Sequence, residues 1–199
     1  MQKCYGLVVC GGKSSRMGMD KSLIDYHGKP QWKHVFEMLE GICDKVFVSC
    51  NNSQAENADF KENALIDLHS YENIGPMASL LTAFEGYPDK DFVVVGCDYP
   101  FLTQKELNDF LIFTNGKKTA SAFYKTAYTV YEPLLAWYSH HSKNELLRMF
   151  GNEEYSLQYF LKAVEAQKYI PLNSQSMKSV DTLEESQNAR RIIHGQNQF

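Results

Sequence analysis

Short apolar runs alternate with amphipathic stretches through the first half of the chain, and this alternation restricts the possible folds more than any other feature of the sequence. The apolar runs predict strands, and the stretches with apolar side chains at helical spacing predict helices. In chain order the prediction is strand 5–9, helix 31–40, strand 45–50, strand 63–67, helix 75–87, strand 91–100 and helix 103–114. The run DFVVVGCDYP at 91–100 is the most apolar, which is typical of a central parallel strand buried on both faces. The order predicts an α/β fold with a mostly parallel central sheet and helices on both of its faces.

The second half of the chain is less regular. The sequence predicts paired strands within 119–133, a helix over 132–150 that is broken near His140, a helix over 156–164, a strand over 168–172 and a closing helix over 182–193. No stretch of linker composition separates these elements, so we expect a single domain over 1–199.

Composition and charge exclude several classes of function. The 199 residues carry a formal net charge of −4, and no basic patch stands out, so we expect no nucleic-acid partner. No apolar run approaches the length of a membrane span, and the apolar stretch near the N-terminus is too short for a signal peptide, so we expect no membrane contact. The five cysteines form no C-x-x-C pair, and we interpret them as reduced thiols in a cytoplasmic protein.

The stretch VVCGGKSSRMGMDK at 8–21 predicts an anion-binding loop. Gly11 and Gly12 follow the first strand directly, and glycines let backbone N–H groups approach a phosphate without a Cβ in the way. Arg16 and Lys21 add two cations, and Gly18 lies between them. The spacing matches neither the P-loop nor the dinucleotide-binding fingerprint, so both of these common phosphate loops are disfavoured.

Two further strand ends carry candidate ligand residues. Asp98 follows the central strand, where a carboxylate can hold a Mg²⁺ ion that also binds phosphates. Asp67 follows the strand at 63–67, and Gly75 begins the next helix, where close approach to a flat or anionic ligand is possible. From these residues alone, an aspartate that caps a turn and a plain helix start fit as well. Ligands of open α/β sheets bind beyond the carboxyl ends of strands, which favours the site interpretation beside the glycine loop.

The chain resembles the molybdenum cofactor guanylyltransferases over nearly its whole length. The specific motif lies within GGKSSRMGMDKSLIDYHGKP, and its matching residues are Gly11, Gly12, Ser14, Arg16, Met17, Gly18, Asp20, Lys21, Gly28 and Pro30. IDLHSYENIGPMASLL, GCDYPFL, EPLLAWY and SVDTLEE resemble later segments of the family. The resemblance implies a single-domain nucleotidyltransferase of Rossmann-like fold that transfers GMP from Mg-GTP to the terminal phosphate of molybdopterin and releases pyrophosphate.

The resemblance also implies roles for individual residues. The loop at 11–18, with Gly11, Gly12, Ser14 and Gly18, would hold the GTP phosphates, while Arg16 and Lys21 would neutralise charge during attack on the α-phosphate. Asp98 would hold Mg²⁺. Asn51 would lie near the guanine, with Asp67 and Gly75 at the same end of the sheet. Transient partners would be the proteins that load molybdopterin or receive the finished cofactor. Such a transfer needs positioning and electrostatic stabilisation more than a covalent nucleophile.

Four residues depart from the family pattern. Cys10 replaces the usual alanine before the glycine pair, Ser79 replaces the second glycine of G-P-x-x-G, and Leu183 replaces a proline. Asp181 stands where asparagine is usual, and we expect it to be a second candidate ligand for Mg²⁺, because a carboxylate is a stronger ligand than an amide.

Two other functions stay open at this point. One is a sibling nucleotidyltransferase, which would transfer CMP to molybdopterin or a nucleotide to a sugar phosphate; within the resemblance, the adjacent glycines favour guanine. The other is a GTP-binding sensor or assembly protein without catalysis. The presence of both Lys21 and Asp98 favours an enzyme.

Overall fold

The computed structural model describes residues 4–10, 20–50, 54–55 and 61–196. Within these residues seven strands form one sheet, and they are β1 (Cys4–Val9), β2 (Lys45–Cys50), β3 (Ala64–Ile66), β4 (Asp91–Gly96), β5 (Ala120–Lys125), β6 (Val130–Tyr138) and β7 (Gln167–Tyr169). Apart from short 3-10 helices, the helices whose bounds the structure describes are α1 (Gln31–Glu40), α2 (Pro76–Gly86), α3 (Gln104–Thr114), α4 (Ser142–Gly151), α5 (Leu157–Ala163) and α6 (Leu183–Gln196).

The strand order across the sheet is β3-β2-β1-β4-β6-β5-β7. All strands run in the same direction except β6, which lies antiparallel between β4 and β5. The order changes direction between β1 and β4, because β2 and β3 lie on one side of β1 and the rest of the sheet on the other. This is the topological switch point at which open α/β sheets bind ligands.

Helices cover both faces of the sheet, as the sequence predicted. Successive strand residues point to opposite faces, so Val94 and Val95 of β4 enter different hydrophobic clusters. One cluster lies under α1 and α3 and includes Val95 and Phe110; the other lies under α2, α4 and α5 and includes Val94 and Phe84. Every residue of β4 is buried, which confirms it as the central strand.

The predicted helix over 132–150 is wrong in its first part. Residues 132–138 belong to β6, and the helix begins only at Ser142. The run is apolar and short, and periodicity cannot separate such a run from a buried helix. Pro133 lies where the register between β5 and β6 shifts, a position at which a strand tolerates proline.

The other predicted elements are confirmed with small changes at their ends. Helix α1 and strand β2 have the predicted bounds, and the paired strands expected within 119–133 are the antiparallel pair β5 and β6. The predicted strand at 168–172 is the shorter β7. Among the described residues, no helix combines the length and the apolar character needed to cross a membrane.

A third, smaller hydrophobic cluster packs α6 against the segments that contain Tyr26 and Phe101. Its buried members come from three separate parts of the chain: Ile24, Tyr26, Phe101, Val180, Ala189 and Ile193. Two polar contacts reinforce it, because Tyr26 Oη lies 3.0 Å from Ser186 Oγ and Arg190 Nε donates to the Asp25 carbonyl at 2.9 Å. This C-terminal cluster fixes the segment before α6 against the segment that follows the glycine loop.

Candidate active site

Four parallel strands end at one edge of the sheet, and the predicted site residues follow those ends. Asp98 lies two residues after β4, and Asp67 directly follows β3. The predicted residues Gly11, Gly12, Ser14, Arg16, Gly18 and Asn51 lie outside the described residues. The described part of the site therefore consists of Lys21, Asp67, Gly75, Asp98 and Asp181.

Asp98 lies at the end of the central strand with one carboxylate oxygen inside the protein. Its Oδ1 atom is buried and has no hydrogen-bond partner within the described part of the chain. Burial raises the pKa of this carboxyl to about 6, with nearby Asp181 and Glu132 acting in the same direction and Lys21 in the opposite one. A buried carboxylate oxygen without a partner is costly, which makes Asp98 a candidate ligand for a cation.

Gly96 makes room for that carboxylate, and sequence reasoning missed it. A Cβ atom built on Gly96 would collide with Asp98 Oδ1 and would crowd Leu134. Only glycine at this position lets the Asp98 side chain fold back over the end of β4. The signal in the sequence is a glycine two residues before an aspartate at the end of the most apolar strand.

Lys21 and Asp181 meet at this edge, although 160 residues separate them in the chain. Lys21 Nζ lies 2.6 Å from Asp181 Oδ1. The Val180 N–H donates to the Asp98 carbonyl at 2.8 Å, which places Asp181 beside Asp98. The structure thus brings together Lys21, Asp98 and Asp181.

Local capping interactions hold both partners of this ion pair. The Asp20 carboxylate caps the short helix Lys21–Leu23 by accepting from Ser22 N at 2.9 Å. On the other side, the Glu185 carboxylate accepts from the backbone N–H groups of Asp181 and Thr182 at 2.8 and 2.9 Å. Glu185 therefore shapes the turn that presents Asp181, just before α6.

A second group of side chains lies next to Asp98, and sequence reasoning missed it. Tyr99 Oη donates to Glu132 Oε2 at 2.5 Å, and Lys125 Nζ lies 2.7 Å from Glu132 Oε1. Tyr99 and Glu132 are buried. This chain of contacts ties the turn after β4 to the adjacent ends of β5 and β6.

Asp67 forms the other half of the site, on the far side of β1. Its Oδ1 atom is also buried and has no partner among the residues that the structure describes. Burial raises the pKa of the Asp67 carboxyl, and a hydrogen bond from Ser79 counteracts part of that rise. Gly75 precedes α2 with φ of +70° and ψ of −151°, a conformation that favours glycine, so the predicted glycine at this helix start has a backbone reason.

The described donors fit a Mg²⁺ ion. Magnesium prefers one or two carboxylates and takes its remaining ligands from phosphates and water. Asp98 offers a buried oxygen that has no partner among the described residues, and Asp181 lies beside it. Within residues 4–10, 20–50, 54–55 and 61–196, no group of three or more His, Cys, Asp or Glu is placed to hold a metal ion.

Comparison with known proteins places this site in a family. A family model described as the MobA-like NTP transferase domain matches residues 6–168, which is most of the chain. The chain belongs to this MobA-like family. A crystal structure of molybdopterin-guanine dinucleotide biosynthesis protein A from Archaeoglobus fulgidus has the same fold, with a TM-score of 0.77 and 23% identity over 96% of this chain and 99% of that one.

Two curated relatives of this MobA-like chain are named for molybdenum cofactor synthesis. A molybdenum cofactor biosynthesis bifunctional protein of Synechocystis is 39% identical over 98 residues, which are 49% of this chain and 28% of that protein. A molybdenum cofactor guanylyltransferase of Pseudomonas entomophila is 30% identical over 109 residues, which are 54% of this chain and 56% of the relative. The matched part of the chain thus spans between a quarter and somewhat more than half of these relatives.

Proposed function

We propose that this protein transfers GMP from Mg-GTP to the terminal phosphate of molybdopterin and releases pyrophosphate. The observation that carries the proposal is the meeting of Lys21, Asp98 and Asp181 at the carboxyl ends of the parallel strands, where one buried Asp98 oxygen has no partner among the described residues. One relative is named molybdenum cofactor guanylyltransferase and a neighbour is named for molybdopterin-guanine dinucleotide synthesis, which supports guanylyl transfer to molybdopterin. We propose GTP as the guanylyl donor and, as transient partners, proteins that load molybdopterin or receive the cofactor.

In the proposed reaction, an oxygen of the molybdopterin phosphate attacks the α-phosphorus of GTP. One P–O bond forms and the bond to the leaving pyrophosphate breaks. Bound Mg²⁺, held by Asp98 and Asp181, would withdraw charge from the phosphate oxygens. Neither a covalent enzyme intermediate nor a Ser-His-Asp arrangement is needed, since the task is to position two anions against each other.

Lys21 has two partners in this proposal. Without nucleotide its ammonium group pairs with Asp181 at 2.6 Å. With nucleotide bound, we expect the ammonium to turn to the α-phosphate. The Arg16 guanidinium, the Ser14 hydroxyl and the backbone N–H groups of Gly11, Gly12 and Gly18 would bind the remaining phosphate oxygens. Asn51, Asp67 and Gly75 would contact the nucleoside at the other half of the site.

Thermal unfolding with different nucleotides tests the binding half of this proposal. A ligand at about a hundred times its Kd adds roughly 2.7 kcal/mol of stability. In the presence of Mg²⁺ we expect GTP to raise the Tm of the wild-type protein and CTP, ATP and UTP to have little effect. Asp98→Ala should weaken the GTP response, whereas Asp109→Ala, on the outer helix α3, should not.

The other outcomes of these measurements distinguish the alternative functions. A preference for CTP or UTP would assign the protein to a sibling nucleotidyltransferase. GTP binding without pyrophosphate release with any acceptor would favour a sensor. No response to any nucleotide would contradict the proposal.

A further inference from the structure

Two cysteines lie opposite each other where the strands β1 and β4 reach the candidate active site. The parallel register of these strands matches Val9 with Gly96, so its next position places Cys10 opposite Cys97. The Cys97 N–H donates to the Val9 carbonyl at 3.2 Å, which continues the ladder to this position. The two Sγ atoms are 3.5 Å apart and buried. The two thiols are therefore in direct contact at the carboxyl ends of neighbouring strands.

The backbone at this position suits a disulfide between the two cysteines. Neighbouring strands lie about 4.8 Å apart, and the Cα atoms of bridged cysteines are usually about 4.4–6.8 Å apart. Both side chains point to the same face of the sheet, since both belong to the hydrophobic cluster under α1 and α3. Both thiols are free in the structure. The register and the shared face therefore let the two sulfur atoms bond without separation of the strands.

The residues that follow the two cysteines in the chain are residues of the candidate active site. Gly11, the first glycine of the predicted phosphate loop, follows Cys10, and Asp98 follows Cys97. A disulfide would shorten the distance between the sulfur atoms from 3.5 Å to about 2.05 Å. Asp98 has little room to adjust, because its Oδ1 atom occupies the space that Gly96 leaves open. A displacement of about 1 Å in a site that positions reactants costs roughly a hundredfold in rate.

We propose that Cys10 and Cys97 form a redox modification site, at which a hydroperoxide oxidises the two thiols to a disulfide and so switches off the active site. In the first step a peroxide oxygen bonds to one of the two sulfur atoms, the O–O bond breaks, and a sulfenic acid and one water result. The other sulfur then bonds to the oxidised sulfur, the S–O bond breaks, and a second water leaves. The two sulfur atoms lose two electrons, the peroxide gains them, and both thiol protons end in water. A dithiol reductant restores the thiols by exchange.

The burial of the pair favours a small oxidant. Cys10 is 7% exposed and Cys97 5% exposed, so hydrogen peroxide, which is close to water in size, reaches the sulfur atoms more readily than a bulky disulfide does. The modification is therefore assigned to hydroperoxides and not to exchange with larger disulfides.

The site depends on a residue at which this chain departs from the family pattern. With the usual alanine at position 10, Cys97 would have no thiol opposite it. A second close pair, Cys4 and Cys43, has its Sγ atoms 3.9 Å apart and lies at the other end of β1, away from Asp98. The inference goes beyond the proposed function but rests on it in one respect, since the loss of activity is measured on Mg-GTP binding and transfer.

The test treats the reduced full chain with hydrogen peroxide and maps the disulfides that form. After the remaining thiols are blocked, mass spectrometry of the digested protein identifies the linked peptides. Mg-GTP binding by calorimetry and guanylyl transfer are measured before oxidation, after oxidation and after reduction with dithiothreitol. The variants are Cys10→Ala, which has the residue usual in the family, and Cys43→Ala, the matched control from the other thiol pair.

We expect peroxide to link Cys10 to Cys97 in the wild type, to weaken Mg-GTP binding and to lower the rate of transfer about a hundredfold. Dithiothreitol should restore both. Cys10→Ala should form no bridge to Cys97 and should keep its binding and transfer after peroxide treatment. Cys43→Ala should stay as sensitive as the wild type, which separates this pair from a general effect of thiol oxidation.

Three results would overturn this inference while leaving the proposed function intact. One is a peroxide-treated wild type without a Cys10–Cys97 link, including one in which Cys10 is linked to Cys50 instead. The second is a linked protein whose Mg-GTP binding and transfer are unchanged. The third is a Cys10→Ala protein that peroxide inactivates as strongly as the wild type. Failure of the reduced wild type to bind any nucleotide would instead overturn the proposed function, and the switch with it, even where the link is found.

Discussion

Burial of the ionised Asp98 carboxylate destabilises the folded protein, and a bound cation would remove that destabilisation. Its pKa is raised to about 6 in the fold, mainly by burial, so the unfolded chain releases this proton at lower pH than the native state does. The native state is therefore favoured by protonation of Asp98, and this contribution is lost as the pH rises from about 4 to about 6. Above that range the ionised side chain destabilises the fold.

Because the ionised Asp98 carboxylate destabilises the fold, we predict that Asp98→Asn stabilises the metal-free protein at neutral pH. The gain should be about 3 kcal/mol at pH 7.5 and should vanish below about pH 3, where the wild-type carboxyl is protonated in both states. Denaturant unfolding of both proteins in a chelating buffer measures the difference at each pH. Equal stability of the two proteins at pH 7.5 would contradict the environment described for Asp98.

The Lys21–Asp181 pair should matter for function far more than for stability. Both side chains are partly exposed, and such pairs contribute only about 0–1 kcal/mol, so Lys21→Met and Asp181→Asn should leave the free energy of unfolding nearly unchanged. Removal of the Lys21 charge should lower turnover by roughly a hundredfold or more, by analogy with loss of one positioned donor to a transition state. Steady-state kinetics beside an unfolding curve measures both effects. A large loss of stability with intact turnover would mean that the pair is structural.

A magnesium titration tests whether Asp181 is a metal ligand. Asp181→Ala should raise the Mg²⁺ concentration that half-maximal activity requires, because one of two carboxylate ligands is lost. A magnesium titration of the initial rate measures this directly. An unchanged magnesium dependence would remove Asp181 from the metal site and leave it as an ion-pair partner of Lys21.

At the scale of single elements, α6 has a helix start that also shapes the site. Glu185 accepts the backbone N–H groups of Asp181 and Thr182, while Thr182 Oγ1 accepts the Glu185 N–H at 3.2 Å. Glu185→Ala should cost about 1 kcal/mol of stability and should weaken Mg-nucleotide binding, since the turn that presents Asp181 loosens. Glu184→Ala, one residue earlier in the same first turn, should do neither. Calorimetry with Mg-nucleotide and denaturant unfolding of the two variants measure both effects. Equal losses of stability and of binding in the two variants would contradict the role of Glu185 in shaping the turn.

The sequence predicted elements well where one local signal decides them. Helix α1 has apolar residues at helical spacing, and β4 is a continuous apolar run after a turn, so both were predicted correctly. The strand at 132–138 was predicted as a helix because its identity depends on pairing with β4 and β5, which lie elsewhere in the chain. The local pattern of apolar residues does not show which distant strands a segment pairs with.

The candidate site shows the same contrast between local sequence signals and contacts between distant segments. Asp67 and Asp98 were predicted as site residues because both follow apolar runs. Their placement after the ends of parallel strands is confirmed, and their roles in binding stay predictions. The contact of Lys21 with Asp181 was not predicted, since it depends on how α6 packs through the C-terminal cluster. Ser79 was noted only as a departure from a family pattern; its bond to Ser49 requires β2 and α2 to be placed side by side. The predictions for Arg16, Asn51 and the glycine loop fall outside the described residues and stay predictions.

For the whole molecule, the two large clusters share one sheet, and we predict that they unfold together. Phe84 lies in the cluster under α2, whereas Trp32 and Trp137 both lie in the cluster on the opposite face. Phe84→Ala should cost about 3–5 kcal/mol. The tryptophan fluorescence and the far-ultraviolet circular dichroism of that variant should still change in a single coincident transition. A tryptophan signal that persists after the helical signal is lost would show that the faces unfold separately.

The central claim is guanylyl transfer, and the most direct test is to follow the α-phosphate of GTP. The protein is incubated with Mg²⁺, molybdopterin and GTP labelled at the α-phosphate, with Lys21→Met and Asp98→Asn as comparison proteins. We predict that the label moves to a molybdopterin–guanine dinucleotide, that one pyrophosphate is released for each product, and that both variants are severely impaired. Wild-type protein that binds GTP under these conditions, yet neither transfers the label nor releases pyrophosphate, would contradict the claim.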